Sequence, residues 1–406
     1  MKRILQLLFW ATLILLMAQF LPGIYNYVTV KASKTPFTLY SSVEQEFVQI
    51  QNPDGNLVRC SKSGKVYTEA EFDSVLPFFY LRQLVTDGRF PKTVQGVEIH
   101  PQQAQKANFM YRYSPGEYYL NPINLYPLFD GMSGRVDLKM PKDFFRTSSS
   151  GIEFIEPAGN KTDKTKSKLF TDKMLTAGFV FPAKKVWGNP TPRKEYDEGY
   201  FLLDSDNKLF HLKMLKERPY IKQISTPDQV VPAFVSVTEF RNQESYAFMA
   251  GENNKFYYLK KPGYKWVELP IGNFDYKEDR MLIIGNQLDW TIQVAQGNEN
   301  KYFALNASDL KPLDQMTSSE SPATFVLLSK YIFPFRLNLV TPYDEEVKLR
   351  FSDFSYQAFI LQFILALIVF MFIDKRKFRW STPATFLFGI FILIPYLAYK
   401  NYFTED

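Results

Sequence analysis

Three long stretches of the chain carry no charged residue, while the rest alternates between short apolar runs and polar turns. Ile4 to Leu21 reads ILQLLFWATLILLMAQFL, Phe354 to Ile373 reads FSYQAFILQFILALIVFMFI, and Pro383 to Tyr399 reads PATFLFGIFILIPYLAY. At about 1.5 Å per helical residue, the first spans roughly 27 Å, close to the ~30 Å hydrocarbon core of a bilayer. Gly389 and Pro395 interrupt the third, but membrane helices tolerate such breaks where neighbours re-satisfy the freed backbone groups. The pattern predicts three transmembrane helices: an anchor within 1–23, a second span over 354–373 and a third over 383–399. Gln6, Gln19 and Gln362 are expected to hydrogen-bond to other membrane helices. A cleaved signal peptide shares the basic start and apolar length of the first stretch. No small-x-small site precedes Pro22-Gly23, which favours an uncleaved anchor.

Between the spans the period shortens. Phe47 to Ile50, the turn Asn52-Pro53-Asp54-Gly55 and Leu57-Val58 read as a hairpin, and Ser61 to Gly64 as a second turn before Lys65-Val66-Tyr67. Thr68-Glu69-Ala70-Glu71 has the form of a capping box. The apolar positions Phe72, Val75, Leu76, Phe79 and Tyr80 follow at helical spacing, with Pro77 as a break and Asp87-Gly88 as the stop. Pro101 to Asn108 suggests another short helix. Residues 24–150 are thus read as mixed strand and helix.

From Gly151 to Asp353 the chain reads as almost entirely β, with Asn160 to Lys166 as a surface loop. Asn207-Lys208 followed by an apolar strand recurs at Asn254-Lys255 and Asn300-Lys301, at spacings of 47 and 46 residues. A strand, a polar turn and a strand repeating at that period match one four-stranded propeller blade. A large sandwich with coincidentally similar hairpins is the other reading. The fold expected is a mainly β extracytoplasmic domain, propeller-like, with three transmembrane helices.

Charge supplies orientation. Lys2 and Arg3 precede the first apolar stretch, and Lys375, Arg376, Lys377 and Arg379 fill the short 374–382 connection. Positive short loops stay cytoplasmic. The chain N-terminus and that loop are therefore expected inside, with the large middle domain and residues 400–406 outside. Most of the net charge of +6 belongs to these flanks, so the basic balance reports topology and not a nucleic-acid footprint.

Composition removes other classes. Disorder is excluded by 38 Phe and 25 Tyr, because such a chain has ample material for a core. One Cys excludes a disulfide scaffold and a cysteine zinc site. The only histidines, His100 and His211, are read as a helix-start residue and a satisfied core or interface residue. Asp204-Ser205-Asp206-Asn207 invites a calcium reading, but Lys208 and the missing Gly and Glu of a calcium loop make it a plain turn. No catalytic, cofactor or metal residue is nominated. The turn-rich run from Gly188 to Tyr200 is the most distinctive segment. Trp187, Arg193, Tyr196, Asp197, Glu198 and Tyr200 are its candidates for a binding loop, with a solvated connection as the bland reading.

Ser61 to Tyr67, Leu81 to Arg89 and Asp197 to Leu202 resemble segments of an uncharacterised bacterial family with an N-terminal anchor, a large extracytoplasmic domain and a C-terminal membrane hairpin. The resemblance implies a bacterial inner membrane location and an association with ABC-type transporter subunits. It implies no catalytic residue. The expected function is an accessory, scaffold or recognition module held at a fixed height over the bilayer. The alternative is a tethered enzyme acting on envelope glycan or lipid through paired carboxylates.

Overall fold

Short apolar runs bounded by turn chemistry become antiparallel meanders. The computed structural model describes residues 2–29, 36–52, 56–120, 123–132, 138–297, 299–319, 324–339, 347, 349–372 and 387–399. The chain divides into two units, Thr35–Ser318 and Met1–Lys34 with Ser319–Asp406. The first unit is mainly β.

Its first sheet is a meander of β1 (Phe37–Ser41), β2 (Glu46–Gln51), β3 (Val58–Ser61) and β4 (Val66–Tyr67). The 53–55 part of the β2–β3 turn lies outside the described residues. Gly64, at φ 93°, closes the next turn. Helix α2 (Glu69–Val75) carries the capping box: Thr68 N donates to Glu71 Oε2 at 2.8 Å, and Glu71 N donates back to Thr68 Oγ1. The helix ends ahead of Pro77, and α3 (Leu81–Thr86) follows. A two-rung ladder of β5 (Thr93–Val94) and β6 (Val97–Glu98) leads to α4 (Pro101–Ala107), β7 (Phe109–Tyr113) and the short α5 (Pro115–Tyr119).

The second sheet is the meander β8 (Tyr126–Pro127), β9 (Phe144–Thr147), β10 (Ile152–Glu156) and β11 (Lys161–Asp163). The 150/151 boundary read from sequence falls inside its β9–β10 hairpin, where Glu153 pairs with Arg146. The expectation of almost pure β beyond it also needs correcting, because α6 (Lys164–Thr176) follows at once. Asp163 caps that helix by accepting from Lys166 N at 2.9 Å, and Ser167, Phe170 and Met174 form its buried stripe. Interleaved Lys and Thr hide that period in the sequence.

The third sheet runs β12 (Lys185–Gly188), β13 (Tyr200–Leu203), β14 (Leu209–Leu215) and β15 (Arg218–Ile224). The fourth runs β16 (Pro232–Val237), β17 (Ser245–Gly251), β18 (Phe256–Lys260) and β19 (Lys265–Glu268). The fifth has β20 (Arg280–Gly285), β21 (Asp289–Gln296), β22 (Glu299–Asn306) and β23 (Pro312–Ser319), with β7 added beside β20. The first two Asn-Lys repeats occupy equivalent turns, β13–β14 and β17–β18. The third does not, since Asn300 already pairs with Ala295 inside the β21–β22 ladder and Gly297 makes the turn.

The middle strands of the third and fourth sheets are buried on both faces, which explains their continuous apolar runs. Phe145, Phe154, Phe170, Tyr200 and Phe210 join the second sheet and α6 to the third. Phe201, Leu209, Val235 and Phe248 belong to one cluster across the third and fourth. Trp290 of the fifth meets Tyr258 of the fourth edge-to-face at 5.0 Å. The fifth sheet packs on the first through Tyr302 and Phe47, 6.2 Å apart, and Tyr40 N donates to Thr291 Oγ1 at 2.9 Å. Each fully buried Phe contributes on the order of 2 kcal/mol in apolar transfer.

The second unit holds α1 (Lys2–Thr29), α7 (Thr324–Ile332), the ladder of β24 (Arg336–Asn338) with β25 (Arg350–Ser352), α8 (Tyr356–Phe372) and a helix over Ile390–Tyr399. The part expected to run on to Asp353 is thus divided at Ser318/Ser319, and the β24–β25 ladder belongs to the second unit. Among the described residues one helix, Leu8–Thr29 within α1, is long and apolar enough to cross a membrane. That corrects the expectation of three: α8 has 17 residues and the last helix 10, and the 374–382 loop, with Lys375, Arg376, Lys377 and Arg379, lies outside the described residues. The side chains of Lys2, Arg3 and Gln6 do as well. Gln19 and Gln362 each make one hydrogen bond within the chain. Gln19 Oε1 accepts from Leu339 N at 3.1 Å, and Gln362 Nε2 donates to Ile332 O at 3.4 Å. Gln362 lies so close to Gly389 that a Cβ there would meet its Cδ at 2.0 Å.

Candidate functional site

The segment between β12 and β13 is turned inward. Trp187 and Tyr200 bracket it and are both core residues, Trp187 9% and Tyr200 2% exposed. Tyr200 Oη donates to Pro127 O at 2.6 Å, tying the third sheet to the start of the second. Gly199 must be glycine: its φ is 69°, and a Cβ would stand 2.2 Å from Leu212 O.

That close approach presses Asp197 and Glu198 into the protein. Lys194 lies between them and the fourth sheet, and the three donors of its ammonium meet three acceptors. Nζ is 2.5 Å from Asp197 Oδ1, 2.7 Å from Glu239 Oε1 and 2.7 Å from Asn189 O. The ammonium is thereby satisfied in full. Glu239 also accepts from Glu198 N at 2.7 Å and Asn189 Nδ2 at 2.6 Å. Burial pushes the Asp197 and Glu239 carboxyls up, and Lys194 pulls both back toward ionisation.

Glu198 makes a second knot, taking ion pairs from both Lys213 and Lys261. Burial pushes the Lys261 ammonium down, and Glu198 opposes it. Lys261 Nζ also lies over the rings of Tyr196 and Tyr246, at 4.7 and 4.9 Å. Tyr196 Oη donates to Phe240 O at 3.0 Å. His211 completes the layer, fully buried and stacked on Phe201 at 4.3 Å. Its Nε2 is 2.5 Å from Glu198 O and its Nδ1 2.8 Å from Tyr264 Oη.

Three of the six predicted loop residues, Tyr196, Asp197 and Glu198, are thus tied into a clasp between the third and fourth sheets, and Trp187 and Tyr200 are core residues. Arg193 is the exposed one. It borders a cleft of about 370 Å³ with Glu195 and Arg241, which pair at 2.8 Å. The predicted turn at Asp204 is a turn: Asp204 Oδ1 accepts from Asp206 N and Lys208 N. Among the described residues no group of three or more His, Cys, Asp or Glu is placed to hold a metal ion.

A separate cavity of about 280 Å³ opens between the first and fifth sheets, beneath Val75, Leu76 and Phe78. Asp289, 2% exposed, lines it and accepts from Ser42 Oγ and from Asn286 Nδ2 at 3.1 Å. Burial pushes this carboxyl up to about 7, and the two hydrogen bonds oppose that shift. Sequence reading missed Asp289. Its one signal is a carboxylate wedged between Leu288 and Trp290 at the head of an apolar strand.

A family described as a domain of unknown function (DUF4857) matches residues 37–305. The chain belongs to this family. The matched DUF4857 region runs from the first residue of β1 into β22 and contains both the clasp and the cavity. Curated proteins give no match. Three solved structures are similar at low identity. One concerns PorZ, a bacterial surface component of the type-IX secretion system of Porphyromonas gingivalis (9% identity, 73% of this chain, 34% of that one, TM-score 0.22). The second is the Dos1 propeller (10%, 71% and 62%, 0.26). The third is the WD40 domain of SCAP from fission yeast (11%, 80% and 88%, 0.27). The DUF4857 chain spans a third of the first structure's length and under two thirds of the second's. At these TM-scores the likeness decides nothing about fold or function.

Proposed function

We propose that this chain is an integral protein of the bacterial inner membrane whose mainly β unit is an extracytoplasmic accessory and recognition module of a membrane complex. The observation that carries the reading is the uncovered apolar surface of the helical unit. Leu8 and Phe20 on α1 are 59% and 58% exposed, and Ile360 and Phe363 on α8 are 59% and 50% exposed. A large apolar side chain left in water forgoes about 1.5–3 kcal/mol. Lipid or a neighbouring membrane helix removes that cost, and contiguous exposure of this kind marks a membrane or protein contact. In this reading α1 spans the bilayer, and Lys2 and Arg3 hold its start on the cytoplasmic side.

Four consecutive meanders and a fifth sheet that packs back on the first support a propeller arrangement of the outer unit. The internal neutralisation of the clasp supports a rigid platform over a reaction centre: Asp197 and Glu239 are both held on Lys194, with side chains 2% exposed. Partners are integral membrane proteins, ABC-type transporter subunits among them, and Arg193 is the loop residue left free to meet one.

The test is extraction of the tagged chain in mild detergent. Other integral membrane subunits should co-purify, and repeated recovery of the chain alone counts against the module. Orientation has its own readout. A cysteine at exposed Ser150 should react with an impermeant maleimide in intact spheroplasts, and labelling only after lysis would overturn the topology.

A further inference from the structure

We propose that the cavity between the first and fifth sheets binds a small amphiphilic amine, an apolar body carrying one ammonium group. Its walls are apolar, from Leu39, Leu76, Phe78, Phe109 and Ile284, and its size lies just below the ~300–1,000 Å³ typical of small-molecule sites. Among the described lining residues, Asp289 has the only side chain that can become ionised near neutral pH. Its hydrogen-bond partners, the Ser42 hydroxyl and the Asn286 amide, are both neutral. Once ionised, a buried carboxylate with only neutral partners among the described residues is an uncompensated charge.

A second acceptor lies in the same wall. Asn108 Nδ2 donates to Phe78 O at 2.7 Å, which fixes the amide's orientation, and Asn108 Oδ1 is buried without a hydrogen bond. An ammonium supplies both the missing charge and up to three donors. A carboxylate ligand would meet like charge, and an alcohol would leave Asp289 uncompensated.

The inference extends to pH. The groups that face Asp289 are the Ser42 hydroxyl from the β1–β2 turn, the Asn286 amide from the β20–β21 turn and the Tyr40 phenol of β1. Burial and Asp289 together raise the Tyr40 pKa, so Tyr40 stays neutral at physiological pH. With the Asp289 carboxyl pushed up to about 7, an ammonium must draw off its proton. Amine affinity therefore rises with pH, by up to roughly tenfold between pH 6 and 8.

The experiment is titration calorimetry of the full chain in nanodiscs with 2-phenylethylammonium, 3-phenylpropionate and 2-phenylethanol, in wild type, Asp289→Asn and Met110→Trp. Met110 lines the cavity and is 48% exposed, so a larger side chain there narrows the mouth at little cost to folding. The amine should bind at least about tenfold more tightly than either analogue at pH 8, and each variant should weaken it by a similar factor. No amine binding, equal binding of the three probes, or amine binding that both variants leave unchanged overturns the proposal. Should Asp289→Asn fail to fold, Met110→Trp and the pH profile decide: amine affinity that Met110→Trp leaves intact, or that stays flat from pH 6 to 8, overturns it.

Discussion

Asn207 and Asn254 hold the same left-handed backbone at the same point of two hairpins, with φ of 62° and 58°. Each backbone N–H closes its turn at 3.1 Å, Asn207 on Asp204 O and Asn254 on Gly251 O. Left-handed geometry costs most residues about 1–2 kcal/mol, Asn less and Gly nothing. Asn207→Gly and Asn254→Gly should therefore leave stability within about 0.5 kcal/mol, whereas Val at either site should cost about 1–2 kcal/mol. Asn300, inside a ladder, should behave oppositely, with Gly there costing about 0.5–1 kcal/mol. Thermal unfolding of the six single variants, Gly or Val at each of the three sites, checks this. Equal effects of Gly at all three would break the assignment of two turns and one strand.

Lys194 holds two buried carboxylates, so its loss should cost more than its own bonds. Lys194→Met leaves Asp197 and Glu239 buried without the cation they bond to, a loss on the order of 3–5 kcal/mol. The combined Lys194→Met, Asp197→Asn, Glu239→Gln chain removes the charges together and should recover much of that stability. Denaturant midpoints of the single and triple variants give the comparison. A triple variant no more stable than the single one would show that packing, not uncompensated charge, sets the cost.

His211 should be neutral across the whole range in which the protein is folded. Burial, then the neighbouring Lys213 and Lys261, push its pKa down to about 3, and the bond to Glu198 O opposes them. Only one tautomer fits its partners. Glu198 O can only accept, so Nε2 carries the proton, and Nδ1 accepts from Tyr264 Oη. Nitrogen-15 spectra of the ring should show protonated Nε2 and bare Nδ1, unchanged from pH 8 to pH 5. A titration midpoint near 6.5 would mean the ring is open to solvent.

What the sequence revealed was local, and what it hid was distant. The capping box of Thr68 and Glu71, the stop at Gly88 and the Asn-Lys turns each span a few residues whose chemistry acts on their own backbone. Contacts between remote segments leave no such trace. Nothing near Phe109–Tyr113 announces that it will pair with Met281–Gly285 and widen the fifth sheet. Lys194 and Asp197 sit one helical turn apart in sequence, but Glu239, which makes them a clasp, belongs to the next sheet. The loop looked solvated because it is rich in charge, and those charges are spent on one another. Gln19 and Gln362 show the same limit: a polar side chain in an apolar stretch announces a hydrogen bond without naming its partner.

Asp289 gives the sharpest test of the buried layer between the first and fifth sheets. Its folded carboxyl is pushed up to about 7 from an ordinary 3.8, chiefly by burial. The folded state therefore holds a proton that the unfolded chain has released, and stability falls as pH rises. The contribution is fully present below about pH 4, declines from there to about 7, and is gone above. Over that window the decline is on the order of 4 kcal/mol at most. Asp289→Asn keeps the shape, can bond to Ser42 and cannot ionise. Its stability should match wild type at pH 4 and exceed it at pH 8, flattening the profile between. Unfolding midpoints of both chains from pH 4 to 8 measure this. A wild-type profile no steeper than the variant's would mean that Asp289 is already ionised at pH 4 and that solvent or an unseen cation reaches it.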